Sequence, residues 1–347
     1  MFTVSSQGSA AVSTPDANNV REEFSALLSS SGMYQPQRAE IVLTGSDRVR
    51  WLNGMVTNNI RDLAPGWGVY SFLLNPQGHI QADFYAYNRG NSLLIDVDLA
   101  LKEKVLGIFD HYIIMDDVEV SDGSDKLTTI AINGPGSRAT LQAAGITVPE
   151  IASLQLVDMA WRGIDITIAR GDNPLVESYE AWIAPGNASN LWEALVSARA
   201  KPVSASALDL LRIASGIPRY GHDIRERDLP QETEQQRALH FSKGCYVGQE
   251  IVERIRSRGA VHRKFTGFEV EGSLPSPGTK IQARGKDVGE ITSAVLLPLP
   301  NTEQERAVAL GYIRREVAKP DQALDAGDNK LKITDLPFRF VRTANGS

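Results

Sequence analysis

Apolar residues along the chain switch repeatedly between helical and strand spacing. After Asn19 and Glu22, a pair suited to an N-cap, Phe24, Leu27 and Leu28 form a stripe that predicts a helix ending near Gly32. Ala39 to Leu43 reads as a strand, and Asp47 as the cap of a helix carrying Val49, Trp51 and Leu52. Val69 to Leu74 and Ile80 to Tyr87 are strands on either side of Asn75-Pro76-Gln77-Gly78, a strong turn sequence. Ser92 to Val97 predicts a further strand and Leu99 to His111 a helix.

Leu127 to Ile132 begins a new unit. It is followed by a Gly-Pro-Gly turn, a helix stopped by Gly145, strands at Ile164 to Ala169 and Tyr179 to Ile183, and a helix over Asn187 to Ala200. That order predicts a small α+β sandwich. Ala205 to Ser215 is a helix stopped by Gly216 and Pro218. Beyond Gly259 come short strands and turns, at Phe265 to Val270, Lys280 to Ala283, Val288 to Thr292, Ala307 to Ile313 and Phe338 to Val341. These predict a C-terminal β-barrel or sandwich. Residues 1–18, rich in Ser, Ala, Thr and Asn, read as a disordered tail.

Length and composition narrow the class. At 347 residues the chain exceeds one average core and suggests two or three domains. The formal net charge of -6 argues against nucleic-acid binding over the whole surface. The single cysteine, Cys245, excludes an intramolecular disulfide and cannot supply the four thiolates of a typical iron–sulfur cluster. The five histidines are scattered without zinc-ligand spacing, so no metal site is expected. No apolar run has the length of a membrane span and no secretory signal pattern is visible, so a cytoplasmic protein is expected.

The segment richest in chemistry is Lys243-Gly244-Cys245-Tyr246-Val247-Gly248-Gln249-Glu250, which runs into an amphipathic helix. This places Cys245 in or just before the first helical turn, where the dipole and Lys243 favour a thiolate. A buried packing cysteine and a Cys245–His240 catalytic pair are the alternatives. From Lys243 to Lys264 there are six basic residues against two glutamates, a polyanion site or simply a solvated helix face.

This stretch closely resembles the Lys-Gly-Cys-Tyr-x-Gly-Gln-Glu signature of the YgfZ-type folate-binding family, which shares a superfamily with glycine-cleavage aminomethyltransferases. Trp51 to Asn58 is similar to the family's early helix and Leu-x-Thr-Asn turn, with Met55 in place of Leu. Tyr70, Leu74-Asn75, Gly78 and Asp83 resemble the strand–turn–strand beside the pterin pocket, and Leu211-Arg212, Gly216 and Gly221-x-Asp223 a later superfamily segment. The likeness implies an α+β fold: a three-domain ring around a central folate-binding hole, with a C-terminal β-barrel. The implied divisions are a discontinuous folate-binding domain of 19–126 plus 205–257, a second α+β domain of 127–204 and a barrel of 258–343.

The resemblance also implies site residues. Tyr70, Asp83, Glu180, Arg212 and Lys243 would contact tetrahydrofolate or a derivative, with Cys245 as the functional thiol and Asp83 near the folate's reactive nitrogens. The chemistry suits these roles, since a carboxylate such as Glu180 can accept two hydrogen bonds from the amino-pyrimidine edge. Simpler roles stay open: a Glu180–Arg212 ion pair, Asp83 closing a hairpin, Tyr70 as core. Departures from the aminomethyltransferase pattern fall at Ala82, Ser178 and Ala214. The function implied is a folate-binding accessory protein for assembly or repair of iron–sulfur enzymes, including tRNA-modifying radical enzymes, with no stably bound cluster. A folate-dependent aminomethyl or methyl transferase is the alternative. The expected partners are a reduced folate and iron–sulfur client proteins. Direct RNA binding and membrane contact are not expected.

Overall fold

A computed structural model describes residues 17–259, 261–300, 302–319 and 322–340. Most of the expected tail therefore lies outside the described residues, while its last two residues open the helix Ala17–Ser29. The fold is α+β, with two antiparallel-rich sheets and a closed barrel.

The first sheet has five strands in the order Gly68–Leu74, Ile80–Asn88, Leu93–Asp98, Arg38–Thr44 and Glu119–Asp122. Alternation sorts its side chains. Ala82, Phe84 and Ala86 face the helices Arg48–Met55 and Lys102–Tyr112, and join Trp51 and Phe109 in one core. The intervening Asp83 and Tyr85 face the other way, toward the middle of the molecule.

The second sheet holds six strands, ordered Lys201–Pro202, Gly32–Tyr34, Thr128–Asn133, Ser178–Ile183, Ile164–Arg170 and Leu156–Trp161. One face packs on the helices Ser137–Ala143 and Ala188–Ser197 through Leu141, Leu191 and Leu195. The two sheets meet through Tyr87, Leu94, Leu156, Ala169 and Trp182. Strand pairing also redraws the expected start of the first unit. Gly32–Tyr34 hydrogen-bonds to Thr128–Asn133 and Lys201–Pro202 in the second sheet. Helix Ala17–Ser29 packs through Phe24 and Leu27 on helix Ala205–Ser215 and the barrel.

The C-terminal barrel closes with six strands, from Arg263–Glu271 round to Asn329–Thr334, which pairs back onto it. The sequence pattern misses its two closing strands, Leu324–Ala326 and Asn329–Thr334. It assigns a strand instead around Phe338, which is a buried plug whose N–H donates to the Ala214 carbonyl. Residue 341 of that expected strand lies outside the described residues.

Helix Ala205–Ser215 ends as its sequence predicts, at Gly216 in the left-handed region with φ of +69°. Its Arg212 then bolts three segments together. Arg212 donates to Asp223 at 2.6 Å, to Asp209 at 2.8 Å, to the Ile217 carbonyl at 3.1 Å and to Ser293 of the barrel at 3.2 Å. Asp223 is fully buried, and also accepts from the hydroxyls of Thr292 at 2.5 Å and Ser293 at 2.8 Å. Removing one partner from a buried pair leaves the other charge uncompensated. Asp223→Ala should therefore lower unfolding stability by about 3–5 kcal/mol in urea titration. A loss under about 1 kcal/mol would mean that this joint does not hold the barrel to the helix.

Candidate functional site

A cavity of about 670 Å³ opens between the first sheet, the 217–222 loop and the segment around Arg237. Tyr70 and Asp83 both line it. They lie on neighbouring strands whose register sets Phe72 opposite Asp83 and Tyr70 opposite Tyr85. The Tyr70 hydroxyl donates to the Asp83 carboxylate at 2.6 Å. Burial pushes the Asp83 carboxyl upward, against the lowering effects of Tyr70 and Arg38, and raises the Tyr70 phenol well above its ordinary value. Asp83 does not close a hairpin, and Tyr70 has its ring in an aromatic core but its hydroxyl at the cavity.

Arg237, which the sequence reading does not single out, lies 4.2 Å above the Tyr70 ring. Its guanidinium pairs with Asp172 and donates to the Tyr85 hydroxyl at 3.3 Å, while Tyr85 donates to Asp172 at 2.9 Å. Arg38, on the opposite side, donates through Nε to Asp96 at 2.7 Å. Both arginines line the cavity, each anchored by a carboxylate, and Arg212 and Arg219 line it too.

Glu180 stands within electrostatic reach of Tyr34 and Arg38, two residues of the cavity wall, but is not itself part of that wall. Its carboxylate accepts from the Trp182 indole at 3.2 Å. Burial, reinforced by Asp96 and opposed by Arg38, pushes its pKa up to about 7. Glu40, across the strand pair from Asp96, is raised to about 7 by the same causes. Glu180 forms no ion pair with Arg212, which is committed to Asp223 and Asp209. Arg212 does line the cavity, but four of its roughly five N–H groups are used within the protein.

The Cys245 segment departs from its expected geometry. The helix begins only at Gln249, after Gly248 in the left-handed region with φ of +81°. Cys245 thus lies four residues upstream of the helix, outside reach of its first turn. The thiol is exposed, so it is not a packing residue. It borders a second cavity of about 400 Å³ with Gly244, Ser46, Arg50 and Arg61, and this cavity shares no lining residue with the larger one. His240 is not in that lining. Its backbone N–H donates to the Thr57 carbonyl, and its Nδ1 is buried without a partner among the described residues.

Lys243 does not line the larger cavity either. It is buried, with its ammonium on the carbonyls of Asn53, Val56 and Asn58. Burial and the Arg61 guanidinium pull it down to about 7, while three carbonyl acceptors favour the charged form. The rest of the signature is a wedge. Tyr246 packs beside Tyr70 and Phe72, and Val247 against the core of the first sheet. A Cβ on Gly248 would stand 2.6 Å from the Asn75 carbonyl, so only glycine lets the Asn75–Gly78 turn seat there. Gln249 accepts from the Tyr246 N–H at 3.2 Å, and Glu250 is exposed.

Among the described residues no three His, Cys, Asp or Glu side chains converge as a metal site, and no helix is long and apolar enough to cross a membrane. Tyr85 was accessible to sequence reasoning, since it shares a strand face with Asp83. Arg38, Asp96, Asp172 and Arg237 were not, because Arg38 meets Asp96 only through strand pairing and Arg237 meets Asp172 only through the tertiary fold.

Comparison with known proteins agrees with this architecture. Residues 9–243 match the GCVT N-terminal domain, and residues 262–337 the CAF17 C-terminal beta-barrel domain. The chain is 29% identical to an aminomethyltransferase of Rubrobacter xylanophilus, over 86% of this chain and 80% of that one. It is 26% identical to an aminomethyltransferase of Halothermothrix orenii, over 92% and 91%. Among solved structures, the glycine cleavage system aminomethyltransferase T from Bartonella henselae superposes with a TM-score of 0.83 at 20% identity, covering 92% of this chain and 89% of that one. That likeness is one of fold. With the match spanning well over half its length, the chain belongs to the GCVT N-terminal domain family, joined here to a CAF17-type barrel.

Proposed function

We propose that the chain binds a reduced folate, tetrahydrofolate or a derivative, in the 670 Å³ cavity and serves as an accessory factor for assembly or repair of iron–sulfur enzymes, among them tRNA-modifying radical enzymes. The observation that carries the folate reading is the Tyr70–Asp83 pair on the cavity wall, with the Glu180 carboxyl within electrostatic reach of the wall residues Tyr34 and Arg38. The volume falls in the range of roughly 300–1,000 Å³ usual for small-ligand pockets. A pterin offers two N–H donors on its amino-pyrimidine edge, which an ionised Glu180 would accept. The Arg237 guanidinium, which lines the cavity, supplies a flat surface for the ring. Asp83, held toward its protonated form, can donate to a pterin nitrogen.

The accessory role is supported by the exposed thiol of Cys245 within its signature segment, and by the CAF17-type barrel. A cluster enters this reading as the client's cargo, since a lone cysteine supplies one ligand. The separate linings of the two cavities favour a thiol that meets a partner protein over one that attacks the bound folate.

Calorimetry with tetrahydrofolate tests the ligand. Because Glu180 must lose its proton to accept both donors, affinity should be constant above about pH 7 and fall below it, approaching about tenfold per pH unit. Glu180→Gln should weaken binding by about 10- to 100-fold at pH 8 and flatten that profile. No binding by the wild type, or an unchanged pH profile in the variant, would refute the assignment.

In a strain lacking the protein, Cys245→Ala should fail to restore iron–sulfur enzyme activity while the purified variant binds tetrahydrofolate like the wild type. Full restoration would remove any role for the thiol.

The aminomethyltransferase relatives and the cavity position of Asp83 favour a second reading, folate-dependent aminomethyl transfer. It expects turnover with tetrahydrofolate and an aminomethyl-loaded carrier protein, abolished by Asp83→Asn. Absence of turnover by a wild type that binds tetrahydrofolate decides for the accessory role.

A further inference from the structure

Lys243 is a buried cation without an ion pair among the described residues, 6% exposed. Leaving a charge in such a place is costly unless something replaces its water. Three carbonyl oxygens do so: Asn53 at 2.6 Å, Val56 at 2.5 Å and Asn58 at 2.6 Å from Nζ. The Tyr246 ring covers the remaining side, its centroid 5.0 Å away. The count is that of an NH₃⁺ group, with three donors for three acceptors. A neutral amine has only two N–H groups and would turn a lone pair toward the third oxygen.

The carbonyls are available for a reason. Asn53 lies in the last turn of helix Arg48–Met55, at the negative end of its dipole, and Val56 and Asn58 follow in the turn beyond it. The helical partner of the Asn53 carbonyl would be the Thr57 N–H, but that group donates to Phe72 instead, at 3.1 Å. The chain past the helix is drawn onto strand Gly68–Leu74, leaving oxygens that no backbone donor reaches among the described residues.

The same turn holds the folate cavity's wall. The Asn58 side-chain amide donates to the backbone carbonyls of Tyr70 and Arg237, each at 2.8 Å. The Thr57 hydroxyl donates to the Ala238 carbonyl at 2.6 Å. Asn58 therefore offers its carbonyl to Lys243, two residues from the thiol, and its amide to two residues that line the cavity.

We infer that the turn of residues 53–58 and the Tyr246 ring form a binding site for a primary ammonium ion, of which Lys243 is the tethered occupant, and that Lys243 is thereby a positioning residue linking the Cys245 loop to the wall of the ligand cavity. The second part rests on the folate reading above for its ligand. Arg cannot substitute, because a planar fork does not match three converging oxygens around a point charge.

The test uses the full chain with Lys243→Ala, which deletes three methylenes and the amine. Melting temperature and tetrahydrofolate affinity are measured in n-propylammonium chloride, which replaces the deleted group, and in tetramethylammonium chloride at equal ionic strength, which has no N–H. The variant should melt lower than the wild type and bind tetrahydrofolate about tenfold or more weakly. Propylammonium should restore most of both losses and tetramethylammonium neither. Lys243→Arg should remain impaired.

Equal effects of the two salts, or a variant that melts and binds like the wild type, overturn the inference. Restored melting with folate affinity unchanged throughout overturns the positioning role. Where Lys243→Ala is recovered unfolded, refolding from urea must succeed in propylammonium and fail in tetramethylammonium, and failure in both overturns the site. Should the wild type itself bind no tetrahydrofolate, the folate reading fails, while the salt-dependent melting still decides the ammonium site.

Discussion

One guanidinium, Arg38, stands among three carboxyls on the facing surfaces of two sheets, and it cannot neutralise them all. Its direct partner is Asp96, at 2.7 Å. Glu40 and Glu180 are left with burial and a neighbouring anion, and both are pushed up to about 7. The middle of the molecule therefore keeps two buried carboxyls poised near neutrality. Apolar contacts between the sheets, through Tyr87, Leu94 and Trp182, bring these groups together. The cavity is the space that such a charged face cannot fill with hydrocarbon.

Elsewhere, buried charges join segments far apart in sequence. Arg212 and Asp223 tie helix Ala205–Ser215 to the barrel through Ser293 and Thr292. Lys243 ties the thiol loop to a turn almost two hundred residues earlier. In each case the charged group is satisfied by several hydrogen bonds, which makes it specific in geometry where apolar contact alone would tolerate sliding. This division of labour explains two of the residues attributed to the folate. Arg212 and Lys243 direct nearly all of their donors inward, to other segments of the protein.

The α+β class, the C-terminal barrel, and most helices and strands around the cavity were legible in the chain. Alternation along 80–88 already separates Ala82, Phe84 and Ala86 from Asp83 and Tyr85, so one face had to be core and the other not. The stop at Gly216 follows from glycine's freedom to take positive φ. Two of the strands that escaped notice, Gly32–Tyr34 and Leu324–Ala326, are three residues long and too short to show a period, whereas Leu156–Trp161 and Asn329–Thr334 have six residues.

Local periodicity and turn chemistry depend on neighbours within a few residues, so the sequence by itself determined the elements, the strand face carrying Tyr70 and Asp83, and the candidate thiol. What surrounds a charge depends on residues brought from elsewhere. Only the tertiary structure decided that Cys245 is exposed beside its own cavity rather than in a helix's first turn, and that Lys243 points into a cage of carbonyls. It likewise decided that Arg237, anchored by Asp172, completes the wall at Tyr70 and Tyr85. Burial and long-range pairing set those roles, and neither has a signature in residue spacing.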